Sequence, residues 1–260
     1  MREDNEINAL ELANELYNTF GVAVSSTTIN REKVKMGWVR SGVVRFRNVH
    51  LVKPVNKPKR FKWSAHMIIA EEEFENVVFT GATKIEMRWA SDMSTTKIKR
   101  PAEVIHPISV MIWTGISRKG ATKICIFNEE MDSERYQAIL NDHLLPYLAH
   151  QDMITDHRLM QNPDDPNYTS CSTVRWMKDY GVNWWPTPSE SPDINPNEDI
   201  WHDLKKYLAR RKPMTKEELV DSIDYWWTQV MTVKKCNEYI DLLFYITMHI
   251  ILKNGEATGM

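Results

Sequence analysis

The sequence predicts an α/β fold in which a mixed β-sheet is flanked by helices, with a small helical segment before it. The first observation behind this is the order of patterns, because strand-like runs dominate residues 77–127 and alternate with helical patterns afterwards. The second is composition: 42% hydrophobic residues, including 10 Trp, can build a core, and 9 Gly and 12 Pro without a biased run argue against a disordered chain. A chain of 260 residues fits one large domain, or one core domain with a small appendage.

Residues 1–37 are expected to form two short helices. The first has an apolar stripe at helical spacing and ends at Gly21; the stripe is Leu10, Leu12, Leu16, Tyr17 and Phe20. Ser25, Ser26, Thr27 and Thr28 are N-cap candidates for a second helix, which ends near Gly37. Two helices across a tight turn are typical of a helix-turn-helix, although the pattern alone favours an ordinary helical hairpin.

Residues 38–74 are expected to be a basic linker, extended as far as residue 60 because Pro54 and Pro58 interrupt a stretch without helical periodicity. The net charge of −2 conceals this segregation, since residues 31–62 carry eleven basic side chains and one acid, Glu32. Such a strip either follows a phosphate backbone or is a solvated surface. A pI near 6.5 argues against strong, indiscriminate DNA binding.

Residues 75–260 carry the α/β pattern. The expected strands are 77–79, a partner at 84–89, the apolar run 109–114, and 123–127 after a turn at Lys119–Gly120. Asp132 is expected to cap a helix in which His143 is a satisfied core residue. Short strands near 158–161 and 182–185 enclose a helix at 169–180, and long helices fill the rest.

The sequence predicts neither a transmembrane helix nor disulfide bonds. No apolar stretch approaches the ~20 residues that a transmembrane helix needs. The three cysteines, Cys125, Cys171 and Cys236, are widely spaced and odd in number, which favours free thiols in a reducing compartment.

The most informative stretch runs from Trp185 to Trp201, W-P-T-P-S-E-S-P-D-I-N-P-N-E-D-I-W. Asn195 is a good N-cap, Pro196 suits the first helical position, and Glu198 at the third position completes a capping box. With a lengthened spacer, the stretch resembles the mariner-type transposase signature W-P-x-x-S-P-D-L-N-P-I-E-x-x-W. Residues 106–120, 132–145 and 253–260 resemble further family segments in the family's order, which implies an RNase H-like fold.

The resemblance implies an active site in which three carboxylates hold two divalent cations, Mg²⁺ or Mn²⁺, for cutting and joining DNA. Glu198 matches the third acid. The position of the first acid is Gly81, and that of the second, aligned on Pro166 and Ser170, is Pro163. Neither can bind a metal through its side chain, so no metal cofactor is expected unless the protein is active. Asp164 or Asp165 is a possible substitute, or both belong to a solvated turn.

The resemblance also implies DNA as a partner, because an N-terminal helix-turn-helix region recognises transposon ends in this family. The matching candidates here are Ser26, Thr27, Thr28, Arg31, Lys33, Lys35, Arg45, Arg47, Lys57, Lys59 and Arg60. A single unit should bind weakly, so a homodimer or a protein partner is expected to contribute, with no membrane involved. The family implies a nuclear location.

Three hypotheses for function follow. The first is a transposase-derived nucleic-acid-binding protein with a degenerate, inactive site. The second is a protein-interaction scaffold built on the RNase H-like fold, favoured by the acidic body and the near-neutral pI. The third is an active metal-dependent transposase or nuclease that uses Asp164 or Asp165 with Glu198.

Overall fold

The computed structural model describes residues 23, 25, 27–28, 51–87, 108–128 and 130–259. The chain divides into two compact units, Met1–Asn48 and Val49–Met260. In the first unit, Thr27 and Thr28 are helical, and Ser25 Oγ accepts a hydrogen bond from the Thr28 N–H at 3.1 Å. This is the geometry of an N-cap at the predicted start of the second helix. The rest of the predicted helix-turn-helix segment lies outside the described residues.

A mixed sheet forms the centre of the second unit. Its strands are β1 (Val77–Met87), β2 (Ile108–Ser117), β3 (Gly120–Ala121), β4 (Cys125–Phe127) and β5 (Arg158–Met160). β1 pairs antiparallel with β2 and parallel with β5, while β3 and β4 both pair antiparallel with β2. The order is therefore β3-β2-β1-β5, with β1 between a parallel and an antiparallel neighbour.

The strand boundaries differ from the prediction in two places. The two strands expected at 77–79 and 84–89 are one continuous strand, because Gly81 and Ala82 stay in register with Thr114 and Trp113 of the long apolar β2. The strand expected at 182–185 is reduced to a single bridge between Leu159 and Trp184. Pairing with a long neighbour thus extends β1 through small residues with low strand propensity.

Helices cover both faces of the sheet. The α-helices are α1 (Lys57–Ile69), α2 (Ser133–Ile139), α3 (Leu145–His150), α4 (Pro166–Thr169), α5 (Cys171–Asp179), α6 (Asn197–Arg211), α7 (Lys216–Val230) and α8 (Val233–Leu252). A π-helical stretch, Leu140–Leu144, joins α2 to α3, and a short 3₁₀ turn, Pro192–Ile194, precedes α6. Asp132 caps α2 as predicted, accepting the Arg135 N–H at 2.7 Å. No helix among the described residues is long and apolar enough to span a membrane.

Alternation along β1 separates two hydrophobic clusters. Phe79 and Ile85 face the larger cluster with α6, α7 and α8, whereas Val78 faces the smaller one with Trp113 and Tyr136. His143 contacts the second cluster near Trp113 and bonds the Lys123 carbonyl at 3.1 Å, consistent with the predicted structural role. Burial of each large apolar side chain stabilises the fold by about 1.5–3 kcal/mol, so the sheet is fixed from both sides.

The prediction that the linker is extended as far as residue 60 is wrong, because helix α1 already begins at Lys57. Pro58 does not interrupt helical structure, because it lies in the first helical turn, where its missing N–H costs nothing. α1 packs against α8 and buries Ser64 and Met67. Residues 38–50 of the predicted linker lie outside the described residues.

Candidate functional site

A cleft of about 740 Å³ opens where β5 ends, beside residues 186–195, here called the motif loop. It brings together three residues that the sequence singled out, namely Pro163, Asp164 and Glu198. The remaining lining residues are Lys53, Val55, Asn56, Met160, Gln161, Asn162, Thr187, Ser189, Glu190, Ser191, Pro192 and Asn195. The cleft therefore contains Glu198, which the sequence aligns with the third family acid, and Pro163, which it aligns with the second.

Gly81, the position of the first family acid, lies in the middle of β1 against Trp201 of α6. A Cβ atom at this glycine would lie 2.7 Å from Cη2 and 3.1 Å from Cζ2 of that indole, and 3.5 Å from Nδ2 of Asn195. Trp201 is only 5% exposed, and its indole N–H donates to Thr114 Oγ1 at 3.1 Å. An aspartate at position 81 thus requires a buried and hydrogen-bonded ring to move.

Amide side chains fasten the start of α6 to the sheet. Asn197 is fully buried; its Nδ2 donates to the Phe79 carbonyl at 3.0 Å, and its Oδ1 accepts from Thr114 Oγ1 at 2.9 Å. Asn195 Nδ2 donates to the Thr80 carbonyl at 3.1 Å. Neutral side-chain amides, and not carboxylates with bound cations, thus satisfy the hydrogen-bonding groups buried beside Gly81.

The helix start is shifted by one residue from the prediction. Pro196 holds the N-cap position and Asn197 is the first helical residue, so Asn195 is not the formal cap. Asn195 nevertheless accepts the Asn197 N–H through its Oδ1 at 3.2 Å. Glu198 lies in the first turn, exposed to the cleft, where the helix dipole favours a negative charge.

The position of the second acid follows β5. Gln161, directly after the strand, is 1% exposed and accepts a hydrogen bond from the Tyr136 hydroxyl through Oε1. Burial raises the pKa of Tyr136 well above its ordinary value, so this hydroxyl remains a donor. Pro163 lines the cleft two residues later without any ligand atom in its side chain.

Asp164 and Asp165, the possible substitutes, both have structural partners. Asp164 Oδ2 accepts the Glu190 N–H at 2.6 Å, and Asp165 Oδ1 accepts the Asn167 N–H at 2.9 Å at the start of α4. Among the described residues there is no group of three or more His, Cys, Asp or Glu side chains arranged to hold a metal ion. With Gly81 and Pro163 in place of two acids, the side chains do not fit a pair of cations bridged by three carboxylates.

Arg60, predicted to contact DNA, is buried instead. Its side chain is fully inaccessible and forms a bidentate pair with Asp193, at 2.8 and 2.7 Å. It also donates to the Gly255 carbonyl at 2.9 Å and to Ser191 Oγ at 2.7 Å. The guanidinium thus joins α1, the motif loop and the chain end, and no face of it is left for a phosphate.

The other predicted DNA contacts differ in their surroundings. Lys57 pairs with Glu256, while Lys59 is exposed on α1. Thr27 and Thr28 lie in the first unit, at the start of its predicted second helix. The remaining candidates, Ser26, Arg31, Lys33, Lys35, Arg45 and Arg47, lie outside the described residues.

Glu190 is a site residue that the sequence reasoning missed. Hydrogen bonds from the Asn56 amide and the Lys53 N–H, together with the Lys53 ammonium, lower its pKa from 4.5 to about 2. Its backbone has a φ of +55°, in the left-handed region that non-glycine residues seldom occupy. The lengthened spacer of the motif was the available signal, because Glu190 lies within that spacer.

Residues 77–220 match the family described as DDE superfamily endonuclease, and this match covers more than half of the chain. Among curated relatives, the transposable element Tcb1 transposase of Caenorhabditis briggsae is 23% identical over 225 residues, 76% of this chain and 80% of the relative. The family match at residues 77–220 contains Gly81, Pro163 and Glu198.

Solved structures show the same fold. The Mos1 transposase paired-end complex with left transposon end has a TM-score of 0.68 at 16% identity, covering 97% of this chain and 76% of that chain. The mariner Mos1 paired end complex with Mg has a TM-score of 0.69 at 15% identity, covering 98% and 76%. The expected RNase H-like architecture is thereby confirmed, and the chain belongs to the DDE superfamily endonucleases as a mariner-type transposase domain.

Proposed function

We propose that this protein is a transposase-derived DNA-binding protein that no longer cuts DNA. The observation that carries the proposal is Gly81, which stands at the first acid's position under a buried, hydrogen-bonded Trp201. Neither a carboxylate nor the space for one is present there. Pro163 removes a second ligand, and Glu198 alone supplies too few ligand atoms to hold two cations.

The test is a nicking assay on supercoiled DNA with Mg²⁺ or Mn²⁺, run beside a calorimetric titration of Mn²⁺. We expect neither nicking nor saturable Mn²⁺ binding, with Glu198→Ala indistinguishable from the parent chain. Metal-dependent nicking that disappears in Glu198→Ala would overturn the proposal. It would mean that Asp164 or Asp165 has left its present hydrogen bond and become a ligand, as the third hypothesis requires.

DNA binding is supported by the basic run and by the Ser25–Thr28 cap at the predicted second helix. The likeness to a Mos1 complex with a transposon end supports DNA as the partner class. We expect weak DNA binding that a homodimer or a protein partner strengthens. The association constant for DNA should fall as the salt concentration rises, because phosphate contacts release counterions. Fluorescence anisotropy over a salt series measures this. A salt-independent signal would contradict phosphate binding.

A protein-interaction scaffold is the second candidate, and one observation favours it. Six large apolar side chains on α8 are exposed, and four of them lie between residues 244 and 252: Phe244, Tyr245, Met248 and Leu252. Exposed apolar residues close together on one helix are typical of an interface. Sedimentation of the chain alone, compared with Tyr245→Lys, tests self-association through this helix. A scaffold without DNA function predicts unchanged sedimentation when DNA is added.

A nuclear location belongs to the same proposal, because a DNA-binding role requires access to chromosomal DNA. The basic patch on α6, Lys205, Lys206, Arg210, Arg211 and Lys212, is exposed and is a candidate localisation signal. Imaging of a fluorescent fusion with and without substitutions in this patch tests it. Exclusion of the unaltered fusion from the nucleus would contradict the proposal.

A further inference from the structure

Residues 51–56, here called the strap, run along the cleft before α1 begins. Lys53, Val55 and Asn56 line the same cleft as Asp164 and Glu198. Val52 and Asn56 are buried, whereas Leu51, Lys53 and Val55 are exposed. The strap is therefore attached at two buried points, with exposed side chains beside each of them.

One carboxylate holds the strap to the motif loop. Glu190 Oε2 accepts the Lys53 N–H at 2.8 Å and the Asn56 side-chain amide at 3.0 Å. Its other oxygen, Oε1, lies 3.1 Å from the Lys53 ammonium. Lys53 and Asn56 thus supply three donor groups to the Glu190 side chain, which is 13% exposed.

The loop side of this contact is fixed independently of the strap. The Glu190 N–H donates to Asp164 Oδ2 at 2.6 Å, and its carbonyl accepts from Arg60 Nη1 at 3.1 Å. These two bonds hold the residue at a φ of +55°, a conformation that persists only when its surroundings enforce it. The loop is accordingly the rigid partner.

The strap side is the weaker partner. Lys53 is 74% exposed on its side chain, so its ion pair is accessible to water and to salt. Apart from its contact with Glu190, the strap contains a turn of its own, in which the Asn56 N–H donates to the Lys53 carbonyl at 2.9 Å. Loss of the carboxylate should release the strap without unfolding the loop.

We propose that Glu190 is a latch that fastens the strap beside the former metal site, so that the cleft widens when this carboxylate releases Lys53 and Asn56. The latch explains why Asp164, a candidate ligand, is engaged elsewhere: its carboxylate positions Glu190. It does not depend on whether the chain cuts or binds DNA, because it rests on contacts within the second unit.

Hydrogen–deuterium exchange with residue-level resolution tests the latch in Glu190→Gly. Glycine accepts the left-handed backbone and keeps the N–H that Asp164 holds, so the fold should tolerate the change. We expect the Lys53 and Asn56 amides to exchange about tenfold faster or more, as loss of charge-assisted hydrogen bonds predicts. The amides of residues 190 and 191 should keep their parental rates.

Glu71→Gly is the control for the backbone change, because Glu71 is another glutamate in the left-handed region, with a φ of +49°, and its side chain is exposed. It should leave exchange in the strap unchanged. Lys53→Met is a second variant that removes only the ammonium, and we expect a smaller rise at residue 53. Unaltered strap exchange in folded Glu190→Gly, or an equal rise in Glu71→Gly, would refute the latch.

Discussion

At the scale of single residues, the lack of space beside Gly81 determines which side chains this position tolerates. Alanine there forces its Cβ against Trp201, so Gly81→Ala should destabilise the fold by about 1–3 kcal/mol, the usual cost of overpacking. Denaturant unfolding measures this free energy. In a Trp201→Phe background, whose smaller ring leaves room, the same substitution should cost clearly less. Equal costs in both backgrounds would show that the indole is not the obstacle.

Arg60 supports a second prediction at this scale. Removing its guanidinium leaves the Asp193 carboxylate without its bidentate partner, so Arg60→Met should cost about 3–5 kcal/mol of unfolding free energy. Arg60→Lys should restore little, because an ammonium cannot reproduce the fork that also reaches Gly255 and Ser191. Lys59→Met, one residue earlier and exposed, is the control and should be nearly neutral. A small loss in Arg60→Met would contradict the structural role.

Glu190 gives a prediction for pH. Because its pKa in the folded chain is about 2, below the ordinary 4.5, its contribution to stability is complete above pH 4.5 and is lost as pH falls towards 2. The charged groups facing it are Lys53, Arg60 through the backbone, and Asp164 through the N–H. The difference in unfolding free energy between parent and Glu190→Gln should be constant near neutrality and shrink below pH 4.5. A difference that grows with acid would mean that the carboxylate is not stabilised in the fold.

The alignment with three family positions is a prediction from the sequence, which could not predict what surrounds those residues. Gly81, Pro163 and Glu198 follow from local motifs, and local spacing suffices to align a motif. Arg60 was taken for a DNA contact and Glu190 was overlooked, because their partners lie more than 100 residues away along the chain. Side-chain contacts of this kind depend on the tertiary fold, which single-sequence patterns do not encode.

At the scale of elements, the close approach of α1 to the turn after α8 is the most restrictive contact. A Cβ at Gly255 would lie 2.1 Å from the Lys57 carbonyl oxygen, and its φ is +85°. Gly255→Ala should therefore cost well above the about 1–2 kcal/mol of a left-handed residue alone. Gly181→Ala is the control, since its φ is +69° but nothing lies within 4 Å. Similar melting temperatures for the two variants would contradict the close packing.

Some element boundaries follow from the local sequence, whereas others depend on tertiary contacts. The Asp132 cap of α2 follows from a short motif and is confirmed. The unbroken β1 was not predicted, since its small central residues gain strand structure only from pairing with β2. α1 was hidden because its packing against α8 involves residues almost 200 positions apart.

At the scale of the whole molecule, the fold should be indifferent to divalent metal. An intact paired-metal site would add stability by mass action, about 2.7 kcal/mol at a metal concentration 100 times the dissociation constant. Here amides, Trp201 and two hydrophobic clusters hold the same region together. The thermal unfolding midpoint should be equal in EDTA and in Mg²⁺ or Mn²⁺, once ionic strength is matched with NaCl. A rise specific to the divalent ion and absent in Glu198→Gln would place a cation in the cleft, and the chain would then bind metal although Gly81 and Pro163 align with two of the family's three acids.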